Sequence, residues 1–419
     1  MRTQYTEEST ISRNNDYIII HQGSVVTEVE TVQASIVIHQ GLIEQLITSE
    51  ELLEKWLLEH PQARIIDAAG LHVLPGLIDI HCDAIEKEVQ PRPNTLFPLE
   101  LSLLEFERKL PLHGITTMYH SLSLGVGLSL RGVHLMTELV QLIHRYNTER
   151  GIVRNRVHLR FEVSYHAGLP IVEQYIKENY IHYLSYMDHS PGQGQYRAPG
   201  SFEKYVMKNQ GVTSDEVKMI VDELMERKNE VDWNYLKELA LLANIRNIAV
   251  ASHDDDTNEK IDQAVQSGVS VSEFPITLEV AKYATSSGMK VCVGAPNVVR
   301  GASHDNNLKA VEAIQHGAAH IVCSDYHPSS ILQAIFKLAN DQVLPLHEST
   351  KLATLYPAEA MKISHQFGSI AVGKAADIII VDHFHQIPFV HTTLVNGVTV
   401  YQSKSFFETQ YDGDAVEEL

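Results

Sequence analysis

No run of about 18 apolar residues occurs in the 419-residue chain, which excludes a membrane-spanning helix from its elements. Cysteine is scarce: Cys82, Cys292 and Cys323 are odd in number and far apart, which excludes a disulfide framework and suits a reducing compartment. Positive charge is in short supply. Lys and Arg total 33 against 53 Asp and Glu, a formal net charge of −20, so a phosphate backbone would be repelled. The opening MRTQYTEESTISRNND lacks the basic-then-apolar order of a secretory signal. The expectation is a cytoplasmic protein with neither a nucleic-acid nor a membrane partner. A small anionic substrate stays open, because metal ions and a few local arginines can reverse the field inside a cleft.

What is present is the balance of a globular protein, 44% apolar and 21% charged, with 23 histidines. Residues 17–47 alternate short apolar runs with turn residues, and 376–384 and 392–402 return to that texture. This predicts a small β domain assembled from both chain ends: 1–76 (with a polar leader, 1–16) and 365–419. Between them, 77–364 repeats a strand followed by an amphipathic stretch. Strands are expected at 77–81, 115–122, 157–163, 181–187, 247–252, 269–273, 289–294 and 320–324. Eight such units predict an α/β fold, a (β/α)8 TIM-type barrel with a small β-sandwich domain. The longest gap, after the fourth strand, holds a charge-rich helical insertion over about 200–240.

Catalytic groups of such barrels sit at the carboxyl ends of the strands. Metal-capable residues fall there repeatedly: His81 and Asp83, Glu162, Asp188 and His189, His253 to Asp256, Glu273, and Asp325 with His327. Two ligands at i and i+2 of a strand point the same way and can reach one ion. Each position also has a plain structural reading. A lone histidine is more often a hydrogen-bonded core or surface residue, and Asp254 to Asp256 suit a helix cap. Glu273 could brace a loop, and Asp188 could orient its neighbouring histidine. The joint pattern favours a divalent-metal centre of zinc, manganese or iron.

Val73-Leu74-Pro75-Gly76-Leu77-Ile78-Asp79 before the first strand end, Gly368 to Asp377, and Val395-Asn396-Gly397 together resemble the amidohydrolase superfamily. Most members carry His-x-His at that strand end; here the second position is Asp83. HCDAIEKEVQPRPN (81–94), MDHSPGQ (187–193), ASHDDDT (251–257), GAPNVVRGASH (294–304) and SDYHP (324–328) narrow the resemblance to its triphosphate diphosphatases of the carbon–phosphorus lyase (phosphonate utilisation) pathway. That resemblance implies hydrolysis of α-D-ribose 1-methylphosphonate 5-triphosphate to the 5-phosphate and pyrophosphate. It implies two divalent ions, Zn2+ first and Mn2+ or Fe2+ next, activating water. His81 and Asp83 would bind one ion, His189 and His253 the other, and Glu162 would bridge. Asp325 would join the first ion and take the proton of the attacking water. Phosphate contacts are expected from Lys87, Arg92, Arg160, Arg197, Arg300 and His304. A homodimer is the default oligomer. The rival readings are a C–N-cleaving amidohydrolase, which a lysine at the end of the fourth strand would favour, and a catalytically silent barrel scaffold. The fourth strand end reads YLSYMDH and holds no lysine.

Overall fold

The computed structural model describes residues 17–92, 95–125, 133–188, 190, 192, 194, 200, 203, 214–302 and 307–404. The chain divides into two compact units, one of Met1–Gly76 with Ser369–Leu419 and one of Leu77–Gly368. Among the described residues no helix is long and apolar enough to cross a membrane.

The first unit is a mixed eight-stranded sheet. From the leading segment come β1 (Tyr17–Val26), β2 (Thr31–His39), β3 (Leu42–Ile47), β4 (Arg64–Asp67) and β5 (His72–Pro75). From the other end of the chain come β14 (Ile378–Phe384), β15 (Ile387–Val395) and β16 (Val398–Gln402). The order is β16-β15-β14-β5-β1-β2-β3, with β4 paired to β1. The two chain segments join where β5 pairs antiparallel with β14. Alternate residues of β1, β2 and β14 (Ile20, Ile36, Ile38, Ile378, Ile380) send side chains into one core with Ile43 and Leu394. Strands far apart along the sheet share that core, so the sheet curls upon itself. Its turns meet as a result. Gly41 has φ +80°, and a Cβ there would stand 2.8 Å from the Asn396 carbonyl oxygen. Only glycine meets both demands without strain.

The second unit is the barrel. Its strands are β6 (Leu77–Cys82), β7 (Ile115–Leu124), β8 (Arg154–Glu162), β9 (Tyr183–Met187), β10 (Ala249–His253), β11 (Val271–Glu273), β12 (Lys290–Gly294) and β13 (Ile321–Cys323). They pair in sequence order and all parallel. Every residue of β6 and β7 is buried, as expected of strands covered by helices outside and by each other's side chains inside. Helices are punctuated by local chemistry. Thr257 and Thr277, both extended, cap the helices Asn258–Gln266 and Leu278–Ser286 by accepting from Lys260 and Val280 N–H. The insertion contributes the helices Ser214–Asn229 and Trp233–Ile245.

Closure between β13 and β6 takes place in two different ways. At the amino end, residues 352–353 lie between the strands, where Leu352 O accepts from Val322 N–H (2.8 Å) and Ala353 O from Ile78 N–H (2.9 Å). At the carboxyl end Asp325 does the joining. Its N–H donates to His81 O (2.9 Å) and its C=O accepts from Asp83 N–H (2.6 Å). Buried Asp79 adds a side-chain tie, Oδ1 accepting from Ser324 N–H at 3.0 Å; burial pushes its pKa up to about 6.

Candidate metal centre

Three residues just beyond strand ends have a left-handed backbone: Asp254 (φ 55°) after β10, Phe274 (φ 54°) after β11 and Asp325 (φ 59°) after β13. Each turn aims an N–H at the neighbouring strand. Asp254 donates to Glu273 O, Phe274 to Cys292 O and Asp325 to His81 O. Asp tolerates this conformation; a phenylalanine in it is strained. The Phe274 ring stands edge-on to His81 and His253, with centroids 4.9 and 5.2 Å away. Strain of this kind clusters where a mouth is being shaped.

At that mouth His81, Asp83 and Asp325 offer ligand atoms within 4.8 Å of one another. Donors bound at 2.0–2.2 Å to one ion stand up to about 4 Å apart, so modest closure brings this set to coordination. His81 is buried, and its Nδ1 lies 2.9 Å from Oε1 of Glu273. A carboxylate accepts only, so Nδ1 carries the hydrogen and Nε2 presents its lone pair on the Asp83 side, 3.7 Å from Oδ1. Glu273 is fully buried and also accepts from Tyr183 OH (3.0 Å) and Ser185 Oγ (2.6 Å). Burial alone would raise its pKa, but the facing His81 and His158, the hydrogen bond from His81 and the nearby His253 hold it below the carboxylate range. His158, in reach of Ser121 Oγ (3.0 Å) and Ser185 Oγ (2.5 Å), completes the network. Burial keeps it neutral. His81, His158 and Glu273 form a second close group, but its contacts are hydrogen bonds that orient His81. Burial, reinforced by Asp83, raises Asp325 against the opposing charges of His81, Arg160 and His253. A carboxylate so placed is a better proton acceptor than one in water.

Arg160 stands beside this set. Its Nη1 donates to both Asp83 oxygens at 2.7 Å, and Nη2 lies 3.4 Å from His253 Nε2. Burial opposes the lowering of Asp83, yet Arg160 and His81 outweigh it and hold that carboxyl down. His253 is thus next to Arg160, its ring 5.5 Å from that of His81, and belongs to neither close donor group. Glu162 sits at the end of β8 against Gly125, where a Cβ would lie 3.1 Å from its own, and is likewise in neither group. Lys87, Arg92 and Arg300 are exposed, with no hydrogen bond or ion pair to the donor set among the described residues. His189, Arg197 and His304 lie outside the described residues. Asp188 accepts from Ser190 N–H (3.0 Å) and faces Lys228 (3.8 Å). The cap after β10 is Thr257, not the aspartates before it; Asp255 is buried and accepts from Ser252 and Ser272.

Sequence reasoning passed over His158, and weighed Glu273 as a metal-capable strand end or a loop brace without pairing it with His81. The signal for His158 was available. In His158-Leu159-Arg160-Phe161-Glu162 polar and apolar residues alternate strictly, which puts His158 on the face of Arg160 and Glu162.

Residues 199–411 match the amidohydrolase family. The chain is similar to the alpha-D-ribose 1-methylphosphonate 5-triphosphate diphosphatase of Escherichia coli (strain K12): 32% identical over 378 residues, 88% of this chain and 97% of that enzyme. Among solved structures it resembles N-acetylglucosamine-6-phosphate deacetylase from Pasteurella multocida, with TM-score 0.61, 13% identity, and 91% and 98% of the two chains covered. It also resembles a D-hydantoinase, with TM-score 0.60, 14% identity, and 92% and 95% covered. Those structural likenesses speak for the fold. The family match, and the relationship along nearly the whole of a curated enzyme, agree with a barrel whose mouth gathers imidazole and carboxylate: this chain belongs to the amidohydrolase family.

Proposed function

We propose that the chain hydrolyses α-D-ribose 1-methylphosphonate 5-triphosphate to the corresponding 5-phosphate and pyrophosphate, using a divalent metal ion held by His81, Asp83 and Asp325. The observation that carries the reading is the meeting of those three donors at the barrel mouth, in a chain related along almost its full length to a diphosphatase for that compound.

The donor set fits a divalent cation. One imidazole with its free lone pair directed by a buried carboxylate, plus two carboxylates, is the ligand chemistry of zinc, manganese or iron. An ion bound there supplies Lewis acidity, lowering the pKa of water and polarising a phosphoryl oxygen. Asp325 accepts the proton of the attacking water at its carboxylate, which burial makes more basic. Arg160 presents a fixed guanidinium beside Asp83, suited to the charge that develops on a phosphate during anhydride cleavage. Lys87, Arg92 and Arg300 are exposed cations in the segments that follow β6 and β12, and they are assigned the distal phosphates. Arg197 and His304 complete the proposed substrate contacts, with His189, His253 and Glu162 as further groups around the ion.

The test is incubation of purified protein with the ribose methylphosphonate triphosphate, followed by phosphorus NMR. Pyrophosphate and the 5-phosphate are the expected products. Release of single phosphates, or no turnover beside hydrolysis of a cyclic amide, overturns the assignment.

A further inference from the structure

The residue between Asp83 and His253 is a cation already. Arg160 comes from β8, is 6% exposed, and spans the two side chains, with Nη1 2.7 Å from both Asp83 oxygens and Nη2 3.4 Å from His253 Nε2. We propose that this guanidinium fills the position a second ion would take, so that the centre binds a single divalent ion, at His81, Asp83 and Asp325.

Three observations support it. First, the space is occupied by a group that cannot give up its charge. An arginine does not deprotonate in a protein, so neutralisation cannot admit a second cation as it could with a lysine. Second, the described donors outside that set do not converge, His189 lying outside the described residues. Neither His253 nor Glu162 joins a close donor group among the described residues, whereas His81, Asp83 and Asp325 do so with Arg160 in place. A carboxylate has lone pairs enough to accept from Arg160 and still ligate an ion. Third, the guanidinium has a donor to spare. Its Nε–H is buried and has no partner among the described residues. That leaves a fixed positive group with an N–H available to a substrate oxygen, which is the work a second ion does in a two-metal hydrolase. The alternation of β8 fixes the geometry: Arg160 shares its face with His158, which hydrogen-bonds to Ser121 and Ser185 on both neighbouring strands.

The inference rests on the reading of His81, Asp83 and Asp325 as ligands, and the experiment separates the two. Full-length protein is stripped, loaded with excess Mn2+ and freed of unbound metal. The metal-to-protein ratio is then measured by mass spectrometry, and the Mn2+ signal by electron paramagnetic resonance. The expected result is a single ion per chain with the spectrum of an isolated Mn2+. In Arg160→Gln, which removes the charge, the ratio should double and the spectrum should show two coupled ions. Two ions in the unaltered protein overturn this inference alone, and no uptake at all overturns the ligand assignment with it. A ratio that fails to rise in folded Arg160→Gln also overturns it. Should that variant not fold, the ratio and spectrum of the unaltered protein decide.

Discussion

Nδ1 of His81 donates to Oε1 of Glu273 across 2.9 Å of a buried interior, and Glu273 accepts from Tyr183 and Ser185 as well. The histidine is therefore locked in one tautomer and one ring orientation before any ion arrives. Removing the partner of a ligating histidine costs 10–100-fold in metal affinity in comparable sites. Glu273→Gln should weaken metal binding by about that factor, since an amide accepts only weakly at the same place. Competition with a chromophoric chelator checks it. Unchanged affinity would mean that His81 needs no such support.

Asp325 has two separable parts, a backbone that closes the barrel and a carboxylate that faces the donor set. Asp325→Asn keeps the first and the shape of the second. The variant should retain metal and fold while turnover falls by roughly 10²–10⁴, the usual contribution of a positioned base. Metal analysis and a turnover assay on one preparation check both halves. Full activity would place the proton acceptor elsewhere.

His182, just before β9, accepts Val157 N–H at Nδ1 (3.1 Å), and His320, just before β13, accepts Val291 N–H in the same way (3.2 Å). Accepting requires an unprotonated Nδ1. Burial, with help from Arg156 and His144, brings His182 down to about 3 from the ordinary 6.5. Below pH 6.5 the unfolded chain therefore takes a proton that the folded chain refuses. The stability His182 supports is whole above 6.5 and is lost as pH falls towards 3. By pH 4 the loss should be roughly 3 kcal/mol. His182→Asn keeps an acceptor oxygen and removes the titration, so its melting temperature should fall less between pH 7 and pH 4.5. Parallel curves for the two proteins would refute the account.

Gly41 and Gly70 separate conformational strain from steric overlap. Both have positive φ, but a Cβ meets nothing within 4 Å at Gly70 and the Asn396 carbonyl at Gly41. Gly70→Ala should cost about 1 kcal/mol, the penalty for an L-residue in that region. Gly41→Ala should cost about two to three times as much, because a backbone must also move. Urea denaturation midpoints provide the comparison, and equal midpoints would show that the turn at 40–41 yields freely.

The barrel was largely legible because each strand is a short apolar run between turn residues. The strand expected at 115–122 forms as Ile115–Leu124, and that at 289–294 as Lys290–Gly294. Ends moved by one to three residues: β8 runs further than expected, beginning at Arg154 opposite Thr117, whereas β9, β11 and β13 are shorter. The site was legible in part. His81 stands next to last in its strand and Asp83 lies one residue past β6 in a helical turn, not on the extended strand that the i, i+2 spacing assumed; the seam with Asp325 holds the three together. What a linear sequence could not show is the cross-barrel partner. Glu273 is 192 positions from His81, and only closure makes them neighbours. Nor could it show that Arg160 would turn towards Asp83, since that depends on which residues share the inward face of β8 and β6 at one height.

At its carboxyl end the main-chain joint between the first and last barrel strands runs through Asp325, which bonds to both His81 and Asp83. The main-chain groups that close that end are thus those of the residues proposed to offer their side chains to an ion. Rigidity and loading then become one property. Stripping the metal should loosen the hoop at that point first, and a change that softens the seam should show up as a leaky cofactor before it shows up as an unfolded protein.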